Sequence, residues 1–238
     1  MDKRITETEC MSKIYFFGCS YTFGHGLSDC RLMIPSDAPS KIGWAGQVAK
    51  LAGKECMNLA EPGGSNRQAV HLAQTCDIQS GDIAIFHWTF MNRYFYIHKH
   101  PVNGILTTKV GNWMLKDTRN VRIRGHFHAW SEAHEMHDTE ILVDYINARF
   151  EKNGIRCINF EPFIFKKRNQ ESWEDKYWNS DAIDCMTKFD NRNLLYWQNK
   201  VSKAIGKTDL ADDNSHPGLK SNTRFAQYIL EEYPWLKD

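Results

Sequence analysis

The sequence predicts an α/β fold built on an open parallel sheet, and three observations carry that expectation. Short apolar runs of strand length alternate with segments whose apolar residues recur at helical spacing. The first run, Lys13 to Phe17, leads straight into the small-residue turn Gly18-Cys19-Ser20. No Pro/Ser/Gly-rich linker and no repeat of fixed period divides the 238 residues, so residues 12–238 read as one domain after a flexible extension, 1–11.

Taken in order, Lys13 to Phe17 is the first strand. Gly43 to Ala52 reads as a helix with Trp44, Val48 and Leu51 at helical spacing, and Glu55 to Leu59 as the second strand. Asn66 to Asp77 is a helix, capped by Ser65 or Asn66, with Ala69, Val70, Ala73 and Cys76 on one face. Asp82 to Trp88 is the third strand. Ser131 to Asn153 forms a long helix whose expected buried stripe is Ile141, Leu142, Tyr145, Ile146 and Phe150, stopped by Gly154. Ile155 to Phe160 is the fourth strand, with helices expected at Asn193 to Ile205 and Leu219 to Tyr233. A fifth strand is either very short, around Thr208 to Leu210, or missing. Two stretches fall outside this alternation as insertions, at about 90–130 and 160–192, both rich in aromatic and charged residues. The first reads either as a lid or substrate wall, or as a β-hairpin serving oligomerisation.

Reactive groups of an open parallel sheet gather beyond the carboxyl ends of its strands. Ser20 stands there, on a turn that exposes a hydroxyl while backbone N–H groups face whatever the hydroxyl attacks. A serine nucleophile needs a base, and an imidazole with an unperturbed pKa of about 6.5 takes a proton near neutral pH. Near the other end of the chain lies Asp212-Asp213-Asn214-Ser215-His216-Pro217-Gly218. A carboxylate three residues before a histidine reaches its second ring nitrogen, holds the tautomer and stabilises the imidazolium. Ser20, Asp213 and His216 thus have complementary roles. The competing reading of the tail is an Asx-type turn ahead of a capped helix, without catalysis.

Together the two ends resemble the SGNH (GDSL-type) hydrolase superfamily, which pairs an early Gly-x-Ser-x-x-x-Gly with a late Asp-x-x-His. The resemblance covers roughly Ser12 to Asn92 and Lys207 to Tyr233. It implies a three-layer α/β/α sandwich with a flavodoxin-like parallel sheet of four to five strands, and acyl transfer through a Ser20, Asp213 and His216 triad. The stretch Asn58-Leu59-Ala60-Glu61-Pro62-Gly63-Gly64-Ser65-Asn66 is similar to the second block, with Gly63 as the oxyanion donor beside Ser20 and Gly64 as its nearest competitor. The third block departs from the pattern. Thr89 aligns where the superfamily carries an oxyanion asparagine, and Asn92 follows three residues on. A threonine hydroxyl can donate one hydrogen bond, as an amide can. Cys19 replaces the usual aspartate before the serine, and a strand-end cysteine is more often a small buried hydrophobe than a nucleophile. Tyr21, Asn66, Trp88 and Arg93, which flank these blocks, are the expected substrate contacts.

A formal net charge of +1 offers no field for nucleic acid or an anionic membrane, so capture is expected to rest on local contacts with a small-molecule or glycan ester. Seven cysteines without a CxxC pair point to reduced thiols, and no apolar leader or spanning run is found, which favours a cytoplasmic setting. His126, His128, His134 and His137 lie close together but lack a recognised metal spacing; no metal or cofactor is expected. The expected activity is ester hydrolysis, the ester being an O-acetyl or other O-acyl group on a carbohydrate as the resemblance implies. An acyltransferase using the same triad, and a catalytically weak module that binds a glycan or protein, are the alternatives. The oligomeric state is not legible.

Overall fold

Strict alternation in β1 (Lys13–Phe17) decides the layering, because successive side chains of a strand face opposite sides of a sheet. Ile14 and Phe16 enter one apolar cluster and Tyr15 and Phe17 the other. The structure is a computed structural model and describes residues 12–30, 38–89, 93–100, 104–110, 132–160 and 208–238. After β1 come α1 (Ser20–Phe23), α2 (Trp44–Ala52), β2 (Glu55–Asn58), α3 (Asn66–Thr75) and β3 (Ile83–His87). An antiparallel hairpin, β4 (Tyr94–His100) and β5 (Gly104–Val110), precedes α4 (Glu132–Lys152), β6 (Arg156–Phe160) and α5 (Leu219–Glu232).

The main sheet has four parallel strands in the order β2-β1-β3-β6. On one face Ile14, Phe16, Ile83, Ile85, Ile158 and Phe160 meet α2 and α5 through Trp44, Val48, Phe225 and Ile229. On the other, Tyr15, Phe17, Ala84 and Phe86 meet α3 and α4 through Ala69, Val70, Val143, Ile146 and Phe150. Every residue of β3 is buried, as expected of a parallel strand covered on both faces. The result is the expected three-layer α/β/α sandwich.

Where the fifth strand was expected, Leu210 forms only an isolated antiparallel bridge with Pro217, so the main sheet of the described residues is the reduced one. Two helices are rotated from their expected faces. Leu51 is 55% exposed, because α2 buries Trp44, Ala45, Val48, Ala49 and Ala52, a stripe that leaves Leu51 at its flank. In α4, Ile141 is 53% exposed and Tyr145 faces out to accept a hydrogen bond from Gln74 Nε2, while Val143, Ile146 and Phe150 are buried. Spacing defines a helical stripe, but the sheet residues opposite choose which stripe is covered. Within the first insertion, Tyr94–His100 and Gly104–Val110 are the two strands of the hairpin. The expected helix Asn193 to Ile205 and the insertion at about 160–192, apart from Phe160 at the end of β6, lie outside the described residues.

Candidate active site

The turn after β1 starts a single helical turn at Ser20. Cys19 is its cap residue, in extended conformation, and its carbonyl accepts the N–H groups of Thr22 (3.0 Å) and Phe23 (2.9 Å). The Ser20 N–H therefore stands at the open end of the turn, where helix geometry provides it no acceptor. Cys19 is buried in the apolar cluster with Trp44, unlike a reactive thiol in an electropositive, partly exposed setting. Burial also pushes the Cys157 thiol up to about 12, which keeps it protonated.

Two contacts hold this turn from behind. Asn58, at the end of β2, donates from Nδ2 to the Thr22 carbonyl (2.8 Å) and accepts the Ala60 N–H on Oδ1 (3.1 Å). Thr22 Oγ1 lies 3.3 Å from Nδ1 of His87, the last residue of β3. Strand ends from β1, β2 and β3 thus converge on the four residues that begin with Ser20.

The Asp-x-x-His loop docks on the same turn. His216 Nδ1 is hydrogen-bonded to Asp213 Oδ2, while Asp213 Oδ1 accepts the backbone N–H groups of Ser215 and His216, both at 2.9 Å. The His216 ring meets Tyr21 edge-on, with centroids 5.3 Å apart, and His25 at 5.6 Å. Tyr21 belongs to the turn that carries Ser20, and His25 follows it directly. The backbone agrees: the Asp212 N–H donates to the Gly26 carbonyl (3.3 Å), and a Cβ at Gly26 would come within 2.8 Å of Asp213 Oδ2. Gly26 is therefore needed for close approach. Among the described residues the Ser20 hydroxyl forms no hydrogen bond with His216; such contacts are often long in free enzymes and tighten with substrate.

Burial would raise the Asp213 pKa, but the N–H groups of His216 and Ser215 and the His216 ring outweigh it and hold the carboxyl below its ordinary value. Asp213 is thus anionic at neutral pH. His25 moves below the usual imidazole value, mainly through burial and then through the facing His216, against the pull of Asp213. It stays neutral beside the Asp213–His216 pair.

Sequence reading missed Asp209, which fastens this loop to α5. Its carboxylate accepts the N–H groups of Ser221 (2.7 Å) and Lys220 (3.0 Å) and the Ser221 hydroxyl (2.5 Å), capping a helix whose own cap position is Gly218. Burial again opposes these bonds and loses, so the Asp209 pKa lies below its ordinary value. Its stabilising contribution is complete above the ordinary carboxylate pKa and is lost as pH falls through the folded value. Asp209→Ala is expected to lower stability by about 1 kcal/mol at pH 7, with the deficit shrinking in acid; urea melts at pH 7 and pH 3 check it.

Of the residues expected to serve the oxyanion, Gly63 and Gly64 are separated by their neighbours. The Gly64 N–H is already donated to the Glu61 carbonyl (2.8 Å), whereas Gly63 sits at φ +71° in the turn. The Glu61 N–H donates to the Gly18 carbonyl (3.3 Å), which stitches this turn to β1 two residues before Ser20. Thr89 gives its N–H to Asn66 Oδ1 (2.7 Å), and its Oγ1 accepts from Arg93 Nη1 (2.9 Å), so its hydroxyl proton is what it has left to offer. Asn92 lies outside the described residues.

Two of the expected substrate contacts, Trp88 and Asn66, are buried. Trp88 is 1% exposed, stacks on Phe86 with centroids 5.1 Å apart and donates from Nε1 to Asn159 Oδ1 (3.0 Å). It is core, because the residue after a fully buried strand continues into the layer behind. Asn66 is buried as a clamp: besides the Thr89 N–H, its Nδ2 reaches the Thr89 carbonyl (3.3 Å) and Thr139 Oγ1 (3.2 Å). Tyr21 and Arg93 remain beside the site. Ser65 is the cap of α3, accepting the Gln68 N–H. His137 faces Glu140 at 3.8 Å, and His126 and His128 lie outside the described residues.

The fold is a three-layer α/β/α sandwich, and solved structures share it. Among solved structures, a candidate acylhydrolase from Bacteroides fragilis shares 12% identity, with 95% of this chain and 88% of that chain covered and a TM-score of 0.50. An acetyl xylan esterase from the rumen bacterium Butyrivibrio proteoclasticus shares 14%, covering 94% of this chain, at a TM-score of 0.49; this chain spans 65% of its length. An aryl esterase from M. smegmatis shares 13%, with 94% and 99% covered, at a TM-score of 0.49. At such identities the likeness speaks for the fold. No family model and no curated protein matches the sequence. Among the described residues, no helix is long and apolar enough to cross a membrane.

Proposed function

We propose that this protein is a serine ester hydrolase working through an acyl-enzyme. The observation that carries the reading is the Asp213–His216 hydrogen bond, with the His216 ring against Tyr21, the neighbour of Ser20 in its turn, and against His25. With the Nδ1 proton donated to Asp213, His216 Nε2 carries the lone pair that takes the Ser20 proton. Ser20 Oγ then bonds to the ester carbonyl carbon, and the carbonyl oxygen becomes an oxyanion facing the N–H groups of Ser20 and Gly63. Collapse breaks the ester bond, and the leaving alcohol takes the proton from His216 Nε2. Water, deprotonated by the same nitrogen, attacks the acyl-enzyme and releases the acid. The substrate class is a carboxylic ester, and in its finer form an O-acetyl or other O-acyl group on a carbohydrate. A near-zero net charge fits a neutral ester of this type.

Thr89 favours a second reading. With its N–H given to Asn66 and its Oγ1 accepting from Arg93, Thr89 has one hydroxyl proton to offer where an asparagine amide offers two. Loss of one such donor lowers rates by about 10²–10³, which suits a slow hydrolase or a module that binds its ester without turning it over. Transfer to a sugar hydroxyl uses the same residues and is separated by offering an acceptor and looking for acylated product.

A fluorophosphonate probe tests the triad. Adduct formation at Ser20, absent after His216→Ala, is expected by mass spectrometry. A folded protein that takes up no probe at Ser20 supports the binding module instead.

A further inference from the structure

We propose that Lys109, on the inserted hairpin, is a positioning residue that orients and polarises the Gly63 peptide as an oxyanion donor; this rests on the ester hydrolase reading above. Lys109 Nζ donates to the Pro62 carbonyl at 3.1 Å, across 47 positions of sequence. The Pro62 C=O and the Gly63 N–H belong to one planar peptide, and in a trans peptide these two groups point in opposite directions. Fixing the oxygen against Lys109 therefore aims the Gly63 N–H away from the hairpin. A cation on the carbonyl also draws electron density through the amide, which strengthens that N–H as a donor.

The peptide is one that needs fixing. Gly63 adopts φ +71°, and a glycine populates both signs of φ, so rotation of the peptide meets little steric resistance. Rotated, the unit would present the Pro62 oxygen where a donor is required.

The surrounding contacts hold the lysine in place. Lys109 is paired with Glu61, whose Oε2 also accepts from Gln68 Nε2 at 2.7 Å. The hairpin itself is anchored at two more points beside the site. Arg93 donates to Thr89 Oγ1, and Arg67, paired with Asp138, lies over the Tyr94 ring at 5.1 Å. An ion pair as exposed as Lys109–Glu61, at 32% and 39%, contributes little to folding. Its effect is expected in the chemistry, and in kcat more than KM, because an oxyanion contact forms only in the transition state.

The test compares wild type with Lys109→Met, Lys109→Gln and Lys109→Arg on p-nitrophenyl acetate, with Tm and fluorophosphonate labelling rates alongside. Lys109→Met is expected to lower kcat by about tenfold to a hundredfold, a share of the full loss of one donor. KM and Tm should stay near wild type, and labelling should slow in parallel with kcat. Lys109→Gln, which keeps a donor without the charge, should fall between, and Lys109→Arg should recover most of the rate. Unchanged kcat in Lys109→Met overturns the proposal, as does a change confined to KM or an equal loss in all three variants with a lowered Tm. A wild-type protein that never labels at Ser20 sinks the hydrolase reading, and the role of Lys109 with it, whereas labelling with no Lys109 effect sinks the role of Lys109 alone.

Discussion

Ser20→Ala is expected to remove ester hydrolysis, lowering kcat by about 10⁶, the scale on which a serine protease loses its nucleophile. Nothing else in the turn can take over. Cys19 lies in the apolar cluster with Trp44, and burial keeps the Cys157 thiol protonated. Folding should be preserved, because removal of a side-chain oxygen without a structural hydrogen bond changes stability by less than about 1 kcal/mol. Coincident melting curves and lost turnover of p-nitrophenyl acetate are the expected pair of results. Persistent turnover in purified Ser20→Ala, with an adduct elsewhere, would move the nucleophile away from residue 20.

The second large effect is expected from Asp213→Asn, at about 10⁴ in kcat, the size seen when a triad aspartate becomes an amide. The structure specifies why. At residue 213 one side-chain atom accepts two backbone N–H groups, from Ser215 and His216, and only the amide oxygen of an asparagine can do that. Its NH₂ must then face His216 Nδ1, which is forced to accept. The ring proton moves to Nε2, where the lone pair for Ser20 is required. Asp213→Ala leaves the tautomer unbiased and should be less damaging than a pure loss of charge suggests. In wild type, Asp213 remains anionic below its ordinary carboxylate range, so the acid limb of kcat/KM follows protonation of His216. A pH–rate profile with a single acid limb checks this, and a second limb in the carboxylate range would contradict it.

Legibility in the sequence followed the range of the interactions. The Asp213–His216 pair spans three residues, and the Ser20 turn directly follows an alternating strand, so spacing alone implied both. The end of β3 was less readable. Trp88 continues an apolar strand as an exposed platform would, yet its indole finds Asn159 on a neighbouring strand, and the residue belongs to the core. Helix faces failed in the same way at Leu51, Ile141 and Tyr145, where a second apolar stripe competed with the one covered by the sheet. Gly63 and Gly64 are equivalent as letters, and a hydrogen bond from Gly64 to Glu61 separates them.

By itself, the sequence determined the parallel α/β layering, the serine at the end of β1 and the carboxylate that orients His216. These depend on periodicity and on contacts within a few residues, where backbone geometry leaves few outcomes. Only the tertiary structure decided that Asp209 secures the Asp-x-x-His loop, that Asn66 clamps Thr89 and that Lys109 reaches the Pro62 carbonyl. Those contacts join residues far apart in the chain, and a charged or amide side chain carries no local mark of the partner that folding brings to it.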